Sequence, residues 1–290
     1  MKKILLFLLI LSVSLVSYSN VNLEKAEEFM GKGDFKSAES YYKKAIKEGS
    51  IDAMIDLGII YTSQLNLNEA EKLFLKASEN NSEDGYNSLL IFYFGQGKYN
   101  LVEKYAKEAI KKGNVYAMNI LGSTYMMEKK YELSEKYLKM AVEKGDIDAI
   151  GNLGTLYIFE EKYDLAESFL KRGLNSKNIK AAGQLGYLYS IQDKNQLAEK
   201  YYKIAIDEYN DPAAMADLAL LYKREKKYEL SEKYLKLAIA NDDIEALYGL
   251  SVIYEEQGNY KDAKYYAELA LKKNHPKAET MLNGLKELGY

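Results

Sequence analysis

From Asn20 to the C-terminus, apolar and small residues recur at helical spacing in short blocks separated by polar links. The stretch from Lys139 to Gly173 shows the unit most plainly. Gly145 suits the left-handed position just past a helix end, and Asp146 can cap the next helix by accepting a backbone N–H. Ala149, Leu153 and Tyr157 follow at intervals of four and share one helical stripe, with Gly154 leaving room for a neighbouring backbone. Glu161 and Lys162 make a polar break, after which Tyr163, Ala166, Leu170 and Gly173 form a second stripe. The pattern predicts two short antiparallel helices, an αα-hairpin that cannot bury both apolar faces without neighbours.

The neighbours are in the sequence. The residue opening the second helix recurs as Phe35, Leu67, Tyr99, Tyr131, Tyr163, Asn195, Tyr228 and Tyr260, at intervals of 32 residues with a single 33. A Leu column runs through Leu57, Leu89, Leu121, Leu153, Leu185, Leu218, Leu250 and Leu282, and a Tyr column four residues on runs from Tyr61 to Tyr254. Small residues recur in the second helices from Ala45 to Ala270. Columns in register over this length define a repeat solenoid. First helices are expected from Ile51, Glu83, Val115, Ile147, Ile179, Pro212 and Ile244. An irregular first helix from about Leu23 to Gly33 precedes them, and an unpaired, polar closing helix from Pro276 to about Leu288 ends the chain. The residues just before these starts are Ser50, Ser82, Asn114, Asp146, Asn178, Asp211, Asp243 and His275, all but the last favoured N-caps. Pro212 and Pro276 both fall on the first helical residue, where a missing N–H costs nothing. The one extra residue lies between Ala205 and Ala214 and is expected to be absorbed in the loop there.

The Leu-Gly-x-x-Tyr of the first helix and the small positions of the second resemble tetratricopeptide repeats. The junction Lys144-Gly145-Asp146-Ile147-Asp148-Ala149 followed by Leu153-Gly154 is more similar to Sel1-like repeats. The period is shorter than the ~34 residues of the standard tetratricopeptide unit, and the longer Gly-rich loop of Sel1 repeats is missing. The resemblance covers nearly all of residues 20–290. It implies an all-α, right-handed α-solenoid of about eight helix pairs with a C-terminal capping helix, and a concave groove lined by first helices.

Residues 1–19 are a separate object. Lys2-Lys3, a hydrophobic run from Ile4 to Val16, and Ser17-Tyr18-Ser19 read as a Sec signal peptide cleaved after Ser19, with no stable membrane insertion afterwards. The run is well short of the ~20 residues needed to span a bilayer. The expected location is therefore periplasmic or secreted. The chain has no Cys, so it carries neither a lipid anchor at a lipobox nor disulfides. Loss of Lys2 and Lys3 leaves a net charge of −5, and the many Lys residues are interleaved with Glu, which argues against a nucleic-acid partner. The scarcity of Arg (Arg172 and Arg224 only) beside abundant Lys, Ile, Asn and Tyr reads as the codon bias of an AT-rich bacterium.

No catalytic, metal or cofactor site stands out. His275 is the only histidine and sits at a cap position; without Cys it is a poor ligand, and nothing converges on it as a triad. Ser40-x-x-Lys43 and Ser168-x-x-Lys171 match a string of penicillin-recognising enzymes, and some cysteine-rich Sel1-like proteins have been described as β-lactamases, but the accompanying Lys-Thr-Gly and Ser-Asp-Asn strings are absent, as are the cysteines. Glu39–Lys43, Glu103–Lys107, Glu135–Lys139, Glu167–Lys171, Glu199–Lys203 and Glu232–Lys236 are i,i+4 pairs and read as a solvated face.

By the resemblance, the first-helix face not used by the Leu and Tyr columns lines the groove. It presents Ile55, Asn87, Ile91, Phe94, Asn119, Met126, Asn152, Thr155, Ile158, Gln184, Tyr187 and Ile191, apolar and amide in character, whereas from Asp217 onward the same positions turn charged. Such a strip suits an extended peptide or a helix, with amides bonding its backbone. The expectation is a non-catalytic envelope module that binds a protein or peptide segment. An envelope enzyme acting on peptidoglycan or a β-lactam, and a self-associating scaffold, are the alternatives; the oligomeric state is not encoded in these patterns.

Overall fold

The computed structural model describes residues 20–290, so residues 1–19, read from the sequence as a signal peptide, lie outside the described residues. Seventeen helices and no strand occur among those residues. The helices are α1 (Val21–Gly31), α2 (Phe35–Lys47), α3 (Ile51–Ser63), α4 (Leu67–Glu79), α5 (Glu83–Gly95), α6 (Tyr99–Lys111), α7 (Val115–Met127), α8 (Tyr131–Glu143) and α9 (Ile147–Phe159). They continue as α10 (Tyr163–Asn175), α11 (Ala181–Ile191), α12 (Asn195–Tyr209), α13 (Pro212–Arg224), α14 (Tyr228–Ala240), α15 (Ile244–Glu256), α16 (Tyr260–Lys272) and α17 (Ala278–Glu287). The chain divides into two compact units, one ending at Glu128 and the other starting at Lys129. In each, successive helices pack on one another and alternate helices also touch, the packing of an all-α solenoid of helix pairs.

The caps explain the starts. Ser50, Ser82, Asn114, Asp146, Asp211 and Asp243 each accept a backbone N–H from the first turn that follows. Two helices start later than their sequence suggests. α11 begins at Ala181 rather than Ile179 because Asn178 Oδ1 takes the Lys180 N–H, while its Nδ2 donates to Ile147 O at 3.0 Å. α17 begins at Ala278 rather than Pro276, and His275 behaves in the same way: Nδ1 accepts from Lys277 N, and Nε2 reaches Glu245 at 3.1 Å. The extra residue is also not absorbed in a loop. α12 runs to fifteen residues where α10 and α14 have thirteen, and Asn210 turns the chain in a left-handed conformation directly before Asp211. α1 starts earlier than expected, at Val21, capped by Asn20.

The column residues form the core. Leu57, Leu89, Leu121, Leu153, Leu185, Leu218 and Leu250 are at most 1% exposed, and the Tyr column is buried throughout. Where the first helix carries Gly after that Leu, the second helix supplies bulk: Gly58 lies against Phe74, Gly154 against Leu170 and Gly186 against Tyr202. At the same repeat place Leu90 meets the opposite choice, Ala106, and both are fully buried. The total volume is kept, as close packing requires.

The Tyr hydroxyls overturn one part of the solvated-face reading. Tyr61 donates to Glu39 (2.7 Å), Tyr93 to Glu71 (2.8 Å), Tyr157 to Glu135 (2.7 Å) and Tyr222 to Glu199 (2.9 Å). In each case the carboxylate belongs to the preceding repeat. Glu39, Glu135 and Glu199 also hold the i+4 lysine. Each is thus a bridge between repeats as well as a surface ion-pair partner. The lysine and the tyrosine together hold the Glu135 carboxyl below its usual range.

Candidate functional site

Two clefts, one in each unit, lie on first-helix surfaces. In the C-terminal unit α9, α11 and α13 touch in succession, and a cleft of about 360 Å³ opens on them. Thr155 and Ile158 line it from α9, and Gln184 and Tyr187 from α11. Asp211, Ala213, Ala214 and Asp217 line it from the start of α13, with Lys180 and Gly183 at the head of α11. The repeat explains the convergence. Residues two places after the column Leu (Thr155 and Tyr187) and one place before it (Gln184 and Asp217) sit one helical turn apart on the same face.

Polar groups fix this cleft. Gln184 Nε2 donates to Thr155 Oγ1 at 2.7 Å, and Thr155 in turn donates to Gly151 O. Gln184 Oε1 is buried without a donor, and a Cβ on Gly151 would stand 3.0 Å from it, so the glycine admits the amide. Asp211 Oδ1 caps α13, while Oδ2 lies 2.9 Å from where a Gly183 Cβ would be. Asp217 is half-buried. Burial, reinforced by the Asp211 carboxylate, pushes its carboxyl up to about 6.

In the N-terminal unit a cleft of about the same volume, 360 Å³, is lined by Ile59, Thr62 and Ser63 of α3, Phe74 of α4, and Ser88, Ile91 and Phe92 of α5. Its hydroxyls are turned inward: Thr62 donates to Gly58 O and Ser63 to Ile60 O. The Phe74 and Phe92 rings pack at 5.2 Å. What remains is an apolar wall, with Ile59 and Ile91 both more than half exposed.

Of the residues the sequence assigned to a groove, Thr155, Ile158, Gln184 and Tyr187 meet in one cleft and Ile91 lines the other. Ile158 is nearly buried in its cleft, and Asn119 is buried as well. Asn87 accepts from Asn114 Nδ2 at 2.8 Å and so ties a junction, and Phe94 packs on Tyr99. Ile55, Met126 and Asn152 are half-buried and Ile191 is exposed, outside both linings. Sequence reasoning missed Lys180, Gly183, Asp211 and the part played by Asp217. The signal was available, since Asp217 occupies the same repeat position as Gln184.

The remaining candidates have structural employment. His275 is buried, stacks on Tyr248 at 4.6 Å and joins the last two first-type helices through Glu245. The lysines of both Ser-x-x-Lys strings are ion-paired, Lys43 to Glu39 and Lys171 to Glu167. Among the described residues no group of three or more His, Cys, Asp or Glu could hold a metal. No helix among them is long and apolar enough to cross a membrane.

The array of helix pairs, with clefts on the first-helix face, defines a helical-repeat protein. The sequence matches tetratricopeptide repeat profiles over residues 23–84, 147–178 and 217–279, together more than half of the chain. The chain belongs to the tetratricopeptide repeat family, whose fold, shared with Sel1-like repeats, serves protein–protein interaction and is typically a non-catalytic scaffold. No curated protein matches significantly. Among solved structures it is similar to yeast Tom70 (TM-score 0.73, 16% identity, 94% of this chain and 65% of that one). It is also similar to c5321, a protective antigen of uropathogenic Escherichia coli with an SLR fold (0.52, 18%, 92% and 64%), and to Pseudomonas aeruginosa pilF (0.55, 17%, 72% and 99%). The chain spans a little under two thirds of the Tom70 and c5321 chains. These identities speak to the fold alone.

Proposed function

We propose that the protein is an exported, periplasmic or secreted module that binds a segment of another protein on its first-helix face and does no chemistry there. The observation that carries this reading is the C-terminal cleft. Three consecutive first helices present Thr155 (α9), Gln184 and Tyr187 (α11) and Asp217 (α13) around a cavity sized for one or two side chains. Pockets that mix apolar walls with a few convergent polar groups are the usual form of a recognition site. The leader, with its positive start and short hydrophobic run, supports export.

The test is in-cell photocrosslinking. Tyr187, 46% exposed on the cleft, is the better probe position than Ile158, at 7%. Lys171, exposed on α10, is the control. A discrete adduct from position 187 alone, in the fraction outside the inner membrane, is the expected outcome. Equal adducts from both positions, or a cytoplasmic pool only, would overturn the reading.

A further inference from the structure

We propose that the C-terminal cleft selects a basic side chain, Lys or Arg, of the bound segment, with Asp217 as its counter-ion. This rests on the reading of the cleft as a peptide site and names what that site prefers.

The argument begins with an unpaired charge. Asp217 is half-buried and forms no hydrogen bond or ion pair with any described residue. The column carboxylates Glu135, Glu167, Glu199 and Glu232 each hold a lysine one turn on, and of the two half-buried acids at the place before the column Leu, Asp56 and Asp217, only Asp217 lines a cleft. A carboxylate removed from water without a partner is costly, and such groups in folded proteins are paired or lie in functional sites. The cleft itself does not supply the partner. Lys180 lines it but does not act on the Asp217 carboxyl, which only burial and Asp211 shift. Gln184 directs its Nε2 to Thr155, and Asp211 spends Oδ1 on the α13 N–H groups. Burial, and then the charge on Asp217, raise the Tyr202 phenol on α12, but no hydrogen bond joins it to the acid.

The walls suit the same ligand. Ile158, Tyr187, Ala213 and Ala214 offer apolar surface beside the carboxylate. A lysine or arginine has this division, a long methylene stem that packs on apolar surface and a cationic head that seeks a carboxylate. The Tyr187 ring, 46% exposed, can also stack on a guanidinium. An acidic side chain would meet like charge from Asp211 and Asp217, and a purely apolar one would seal the carboxylate away from water with nothing to offset it.

The test uses the mature protein and an array of immobilised twelve-residue random peptides, read with wild type and with Asp217→Asn. Expected is enrichment of Lys or Arg among wild-type binders. The best peptide should lose affinity about 10- to 100-fold on Asp217→Asn, and by a similar factor in wild type when its basic residue becomes norleucine. The two changes together should cost little more than either alone. Binders without basic enrichment, or with affinities unmoved by Asp217→Asn, overturn this inference and leave the peptide site standing. The absence of any binder that blocks crosslinking from position 187 overturns both. A melting curve confirms that the variant, which is isosteric, is folded.

Discussion

The two clefts share a volume and a set of repeat positions, but not a chemistry. In the N-terminal unit the place two after the column Leu holds Ile59 and Ile91, and the cleft hydroxyls bond to their own helices. In the C-terminal unit the same place holds Thr155 and Tyr187, and the place before the column Leu brings in Gln184 and Asp217. One scaffold therefore carries an apolar surface and an acidic, amphipathic one. The Leu, Tyr and small-residue columns fix helix packing and are constant. The neighbouring columns touch little of that packing and vary freely. Recognition can change along such a chain without a change of fold.

The largest expected effect comes from breaking the scaffold beneath the apolar cleft alone. Gly85 replaces the Ala found at that repeat position elsewhere, as in Ala53 and Ala149, and its missing Cβ would lie 2.5 Å from the Ala77 carbonyl carbon. Backbone cannot step aside as a side chain can, so Gly85→Ala should destabilise the N-terminal unit by about 2 kcal/mol despite the better helix propensity of Ala. Hydrogen exchange should show the loss in α4 and α5 and spare α9 to α13.

Next comes Asp217→Asn, which removes from the second cleft the half-buried carboxylate that the first lacks. The folded-state carboxyl is raised to about 6 from an ordinary value of 3.8. A raised carboxyl favours the native state only while protonated. Its contribution is complete below pH 4 and is lost as pH rises through 6. The variant should therefore be more stable than wild type by about 1–2 kcal/mol at pH 7.5, and equal to it near pH 3.5. Urea titrations at the two pH values check this. A loss of stability at pH 7.5 would mean that Asp217 has a partner in the fold.

Tyr93→Phe and Tyr157→Phe ask whether the scaffold is truly common to both units. Each removes one inter-repeat hydrogen bond of nearly equal length, 2.8 and 2.7 Å, and each should cost about 1 kcal/mol. Unequal losses would show that the two units are not held alike. The smallest effect on folding is expected from Ile91→Asp, which carries charge into the apolar cleft. Ile91 is 53% exposed, so stability should move by no more than about 0.5 kcal/mol. Any partner of the N-terminal cleft should nevertheless be lost in pull-down.

Much of the fold was legible because the repeat reads itself out many times. Every second helix starts at the residue its column predicts, from Phe35 to Tyr260. The misses lie where tertiary contacts override local signals. Asn178 and His275 reach back to the previous first helix and accept from the residue two places on, Lys180 and Lys277, instead of capping from three places on as Asn114 does. The inserted residue extends α12, and Asn210 then makes the left-handed turn that Lys177 and Asp242 make at the neighbouring junctions. The Tyr–Glu bonds were hidden by distance in sequence, although a constant separation of 22 residues, 23 across the insertion, marks them in retrospect. At the site, the apolar and amide lining was visible as a stripe. The junction residues Lys180, Asp211 and Ala213 were not, because a helix start joins a cleft only once neighbouring helices are stacked.

The hydroxyl that reaches back to a carboxylate one repeat earlier has a consequence for how such a chain can change over generations. Tyr61, Tyr93, Tyr157 and Tyr222 each give the same donor backward to an acceptor in the repeat before. A recombination event that removes or duplicates 32 residues joins a new tyrosine to a new glutamate at the old separation. Length, and with it the number of clefts displayed, is then open to inheritance by slippage, and the 33-residue repeat shows the bond surviving a one-residue change, with Tyr222 still 2.9 Å from Glu199.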